Sequence, residues 1–239
     1  MAITTVLFDL DGTLLPMDQD EFVETYFGLL AKFMLPHGYE PKQLIKTVWE
    51  GTAAMLKNDG TRTNEQVFWD CFCSRYGEDV KSKIPLFESF YATDFLGGKA
   101  ACGFNPKAVE TVRELKKMGL RVALATNPIF PPIATENRIR WAGLTPEDFE
   151  IYTTYVNSHY CKPSPEYYKE VADGLRVDPE ECLMVGNDVS DDMPAQNLGM
   201  KVFLLTDCLI NRKHEDITKF AHGSFDRLME YIALSVAEN

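Results

Sequence analysis

The stretch Val6 to Leu15, VLFDLDGTLL, constrains this chain more than any other. A β-branched and aromatic run, Thr4 to Leu10, predicts a buried strand. Two aspartates, Asp9 and Asp11, stand one residue apart at its end, followed at once by Gly12. Side chains alternate along a strand, so the two carboxylates face the same way if the extended backbone continues. Like charges held together repel, and burial raises the cost. A divalent cation offsets both terms, and Mg²⁺ takes one or two carboxylates together with waters and phosphate oxygens. Gly12 permits torsions and a close approach that a side chain forbids. Taken alone, the pattern reads more readily as an acidic turn whose aspartates cap the next segment.

The rest of the chain supplies the frame. Apolar runs recur at Arg121 to Ala125, Ile151 to Val156, Cys182 to Val185 and Lys201 to Leu205. Amphipathic segments of helical length separate them: Pro106 to Met118, closed by Gly119; Pro132 to Trp141; and a third opened by Ser164 and Pro165. This alternation predicts a doubly wound α/β core with a parallel, Rossmann-like sheet. Between the first strand and that repeat, helical spacing runs through Asp20 to Met34, Gln43 to Leu56 and Asn64 to Arg75, and Phe87 with Phe90 marks a fourth helix. The expected organisation is a core of residues 1–17 and 96–239 with a helical unit, 18–95, inserted after the first strand.

Ligands of an open parallel sheet bind beyond the carboxyl ends of its strands. The first strand is followed by the two aspartates, the second by Thr126-Asn127, and the Cys182 strand by Gly186-Asn187-Asp188-Val189-Ser190-Asp191-Asp192; Lys162 precedes the third helix. Singly, Thr126 reads as a helix N-cap, Lys162 as a solvated lysine, and the late aspartates as acids at a helix N-terminus. Their order along the chain carries the argument.

That ordered set resembles the haloacid dehalogenase superfamily, in the subfamily of phosphoglycolate phosphatases and β-phosphoglucomutases with a helical cap between the first and second motifs. The four motifs stand as FDLDGT (Phe8 to Thr13), ATN (Ala125 to Asn127), Lys162 before Pro163, and VGNDVSDD (Val185 to Asp192). The resemblance implies an Mg²⁺-dependent phosphatase acting on a small phosphorylated metabolite. Asp9 is then the nucleophile that forms an aspartyl-phosphate and Asp11 the acid and base. Thr126 and Lys162 hold the phosphoryl group with Gly12 and Asn127, and the metal takes Asp9, the backbone carbonyl of Asp11, and Asp188. Asn187 and Asp192 belong to the surrounding shell. Many relatives have Gly-Asp where this chain has Gly186-Asn187, which moves the acid to Asp188. Dehalogenating relatives lack the second aspartate, so Asp11 argues for phosphate chemistry. A phosphosugar mutase shares both aspartates, although many mutases carry Val where Thr13 stands. A binding protein that keeps the site without turnover is the alternative of another class.

Composition limits the partners. Of 239 residues 45% are hydrophobic, and 24 basic against 36 acidic side chains give a net charge of -12. So acidic a chain repels nucleic acid and anionic membranes. No window has the apolar length of a membrane span. The six cysteines form no C-x-x-C pair, the expected leader is none, and the expected location is the cytoplasm. No G-x-S-x-G is present, and His222-Gly223-Ser224 is expected to lack the strand-to-helix setting of a serine nucleophile. The aromatic side chains of the helical unit, Trp49 and Trp69 among them, are expected to fill its own core. Its cations Lys46, Lys57, Arg62 and Arg75 are candidates for holding a second anion, and the oligomeric state is not readable.

Overall fold

A computed structural model describes residues 2–237. Met1, Glu238 and Asn239, which the expected core boundaries include, lie outside the described residues. Five parallel strands, β1 (Thr5–Phe8), β2 (Arg121–Leu124), β3 (Cys182–Gly186), β4 (Lys201–Leu205) and β5 (Ala221–Gly223), form one sheet in the order β2-β1-β3-β4-β5. Register explains why distant motifs meet. Phe8 pairs with Leu124 on one side and Val185 on the other, so Asp9, Ala125 and Gly186 leave the sheet at the same level. The Asp9 amide donates to the Val185 carbonyl (2.9 Å) and the Ala125 amide to that of Phe8 (2.7 Å), carrying the ladder one residue past the strand ends.

Alternation along each strand feeds two cores. Val6 and Phe8 of β1, with Val122, Leu124, Leu183 and Val185, pack on helices α5 (Pro106–Lys117), α6 (Pro132–Trp141) and α8 (Phe225–Ala237). Leu7, Ala123, Met184 and Leu204 face the other way, onto α7 (Pro165–Leu175) through Tyr167, Tyr168 and Val171.

Between β1 and α5 run four helices, α1 (Gln19–Met34), α2 (Pro41–Leu56), α3 (Asn64–Tyr76) and α4 (Ile84–Ala92). Their starts follow capping chemistry. Asp18 accepts the Glu21 amide (3.0 Å) before α1, and Thr63 with Gln66 makes a capping box before α3. Phe72, Phe87 and Phe90 fill the interior of this unit, and Phe95 stacks on Trp141 of α6 at 5.3 Å between ring centres. The insert thus continues the core on one face of the sheet.

Two expectations are corrected. Ile151 to Val156 makes one parallel bridge, Tyr152 to Leu124, and no strand. The Asn157 side chain takes the Thr154 amide (2.8 Å) and donates to the Tyr152 carbonyl (2.9 Å), folding the backbone into a turn that ends the pairing. His222 and Gly223 end a strand, β5, and Ser224 joins it to a helix, α8, so the strand-to-helix setting is present. β5 is too short and polar for its alternation to be legible, and β3 and β4 separate it from β1. Among the described residues no helix is long and apolar enough to cross a membrane.

Candidate active site

Lys162 lies in the loop before α7, which Ser164 caps. It is 3% exposed, and its Nζ donates to Asp9 Oδ1 (2.8 Å) and Asp192 Oδ1 (2.6 Å). Burial works against a charged lysine, but the carboxylates of Asp192 and Asp9 outweigh it and hold Lys162 well above its ordinary value. The second oxygen of Asp192 accepts the Asp188 amide (2.9 Å). This arrangement requires Gly186, since a Cβ there would stand 2.1 Å from the Asp192 carboxyl carbon.

The turn after β1 is braced from the other side. Gly12 has φ +82°, and a Cβ on it would meet the Asn187 amide nitrogen at 2.3 Å. The Thr13 hydroxyl lies 2.9 Å from Asn187 Oδ1 and 3.1 Å from Asp9 Oδ2. Asn187 also donates to the Cys208 carbonyl (2.7 Å), so its amide ties the first motif to the loop after β4. Asp188 Oδ1 accepts the amides of Ser190 (2.7 Å) and Asp191 (3.1 Å). The Thr126 carbonyl accepts from Thr153 (2.6 Å) and Tyr167 (2.8 Å), and the buried Asn127 Oδ1 has no partner among the described residues.

Arg138 of α6 was not among the expected site residues. It is 1% exposed, donates to Asp11 Oδ2, and lies over the Phe130 ring at 4.4 Å. Among the described residues Asp11 Oδ1, which is buried, has no partner. Burial raises the Asp11 carboxyl, with Arg138 opposing it. The sequence held a signal for this arginine. Ala134, Arg138 and Trp141 lie four and three residues apart, which puts Arg138 on the apolar face of α6.

Asp9, Asp11, Thr126, Asn127, Lys162, Asn187, Asp188 and Asp192 line one cavity of about 460 Å³. Gly12 stands at its floor against Asn187. With Asp191, five carboxylates gather there against Lys162 and Arg138. Among the described residues no three His, Cys, Asp or Glu side chains form a closed metal cage. An excess of carboxylate without a cage suits Mg²⁺, which keeps several of its waters and takes few protein ligands. The residues present fit that ion.

The opposite wall comes from the insert. Of the aromatic side chains expected to fill its core, eight line this cavity, including Phe27, Trp49, Phe68 and Tyr91. None of Lys46, Lys57, Arg62 and Arg75 reaches it: Arg62 pairs with Asp70, and Arg75 with Glu50 at 2.8 Å.

The model of the haloacid dehalogenase-like hydrolases matches residues 3–199. The chain belongs to that family. Among curated relatives in the family, pyrophosphatase PpaX of Bacillus mycoides is 25% identical over 92% of this chain and 91% of that protein. The Bacillus cereus (strain G9842) protein of the same name is 27% identical over 92% and 90%. Among solved structures, a 2-haloacid dehalogenase from Pseudomonas syringae aligns with TM-score 0.63 at 21% identity, covering 97% of this chain and 99% of that one. A family hydrolase from Deinococcus radiodurans with bound phosphate and sodium aligns with TM-score 0.58 at 20% identity over 98% and 96%. These two likenesses establish the fold, which family members of different chemistry share.

Proposed function

We propose that the protein is an Mg²⁺-dependent phosphatase of small phosphorylated metabolites, working through an aspartyl-phosphate. The observation that carries the reading is the meeting of Asp9, Asp11, Lys162, Thr126 and Asp188 in one cavity. Asp9 attacks phosphorus, and the bond from phosphorus to the leaving oxygen breaks. Asp11 supplies that oxygen with a proton. Water then attacks the phosphorus of the acyl phosphate, Asp11 takes the water's proton, and Asp9 departs with inorganic phosphate released. A buried carboxyl favours its protonated form, which suits the donor, while Arg138 fixes the orientation of Asp11.

Lys162 is placed to neutralise charge on the transferring phosphoryl group. Thr126, Asn127 and the backbone at Gly12 are the further groups we assign to it. Asp9, the Asp11 carbonyl and Asp188 would hold Mg²⁺, which supplies charge stabilisation to the phosphoryl oxygens. Asn187 and Asp192 position their neighbours. Residues 18–95 are the cap in this reading, closing over the core of residues 1–17 and 96–239.

The test is phosphate release from p-nitrophenyl phosphate. Turnover should need Mg²⁺ and vanish in Asp9→Asn. A folded protein with no release above that variant refutes the proposal. A mutase with the same residues would pass phosphate to a second sugar hydroxyl and release none to water.

A further inference from the structure

From the wall opposite the catalytic groups we infer that the leaving group is an apolar alcohol, so that the substrate is an alkyl or aryl phosphomonoester. This rests on the phosphatase reading and narrows it. The cavity, about 460 Å³, is of the size that encloses small organic ligands. One end holds the carboxylates and Lys162. The other end is made by α1 to α4, and no Lys, Arg or His of these helices lines it.

A leaving group with a second negative charge would find no partner there. Glu88, an exposed residue, lines the cavity together with Asp188 and Asp191, and this excess of carboxylate repels a further anion. Lys46, Arg62 and Arg75 of the insert are drawn into ion pairs with Glu50 and Asp70. A sugar fares no better. The hydroxyls of Tyr26 and Tyr91 bond each other (3.0 Å), and that of Thr52 bonds the Val48 carbonyl (2.9 Å). Trp69 Nε1, a buried donor without a partner among the described residues, is joined at that end by Gln19 and Tyr155, few groups against the several hydroxyls of a hexose. Unpaired hydroxyls in such a pocket oppose binding. Aliphatic or aromatic carbon gains contact with Phe27, Trp49, Phe68 and Ile129 instead.

The experiment is a chain-length series. From ethyl to octyl phosphate the basicity of the departing alkoxide hardly changes, so differences in kcat/KM report contact with the wall. We expect kcat/KM to rise about fourfold per methylene until the cavity is full. Trp49→Ala should flatten that slope; Trp49 is 50% exposed, so the fold should tolerate the change. A flat or falling series overturns the inference while leaving the phosphatase reading intact. So does faster turnover of glucose 6-phosphate, 2-phosphoglycolate or pyrophosphate than of hexyl phosphate.

Binding of non-hydrolysable n-alkylphosphonates, measured by calorimetry with Mg²⁺ present, separates the two claims. A Kd that tightens about fourfold per methylene, together with no phosphate released from the matching alkyl phosphates, supports the apolar pocket and removes the phosphatase. A Kd independent of length removes the pocket.

Discussion

Arg138 holds Asp11. The guanidinium of a core helix, shielded from water, donates to the carboxylate that follows the first strand by three residues. Removing one partner of such a pair leaves the other charge buried alone. Asp11→Asn, which strands a guanidinium that cannot shed its charge, should therefore cost about 3–5 kcal/mol. In the double variant Asp11→Asn/Arg138→Met the loss should fall short of the sum of the single losses by more than about 1 kcal/mol, because no orphan charge remains. Urea unfolding of the four proteins measures this, and additivity would mean that the pair contributes nothing.

Asp11 can be tested through its leaving group. A general acid contributes about 10²–10⁴ in rate where the departing oxygen needs a proton. In Asp11→Asn, kcat/KM for an alkyl phosphate, which reads transfer to Asp9 and not the later hydrolysis, should drop by about 100-fold or more. For p-nitrophenyl phosphate kcat/KM should drop far less, since nitrophenolate leaves unprotonated, while kcat falls with the loss of the base. Equal losses of kcat/KM on both substrates would take Asp11 out of the acid role.

Asp192 carries half the pairing of Lys162 and also accepts the Asp188 amide. Asp192→Ala should destabilise by about 3–5 kcal/mol, since it strands a buried ammonium. At about 2–4 °C per kcal/mol for a chain of this size, a calorimeter should record a drop in Tm of about 10 °C. A drop within about 2 °C would show that Asp9 alone satisfies the lysine.

Two glycines should respond in opposite directions. Gly186→Ala drives a methyl into Asp192 and should lower stability and activity together. Gly28 of α1 has open space where a Cβ would go, so Gly28→Ala should stabilise by about 0.5–1 kcal/mol by restricting the unfolded chain. Thermal unfolding of both variants reads the two signs in one experiment.

Burial pushes the Cys161 thiol from the ordinary 9.0 up to about 12 and the Cys182 thiol up to about 11. A thiol ionising near 12 is thiolate in about one molecule in 10⁴ at pH 8. Iodoacetamide at pH 8 should spare both cysteines in the native protein and label them once urea unfolds it. As the folded values lie above the unfolded one, the contribution of these thiols to stability is complete below about pH 9 and wanes as pH rises toward 11 to 12. Rapid native labelling at Cys161, read by mass spectrometry, would contradict its burial.

The helices of the insert and the edge where the motifs collect were readable because they rest on short-range pattern. Phe22, Tyr26 and Leu30 share a face through helical spacing alone, and Asp9, Thr126 and Asn187 each follow an apolar run. Ile151 to Val156 has strand composition, yet Asn157, beyond the run, turns the backbone away. β5 exists because β4 offers an open edge to three residues with little propensity of their own.

Chain order sufficed to announce a parallel sheet, its helical insert and a row of carboxylates at one rim, since alternation and capping depend only on neighbours a few residues apart. Which groups those carboxylates meet was a matter of packing. Arg138 reaches Asp11 across 127 positions and Lys162 reaches Asp9 across 153, distances over which no local periodicity carries information. The same holds for the aromatic side chains of the insert. Periodicity marks them as apolar, but only the placement of four helices over the sheet edge turned eight of them toward the cavity and left its cations facing water.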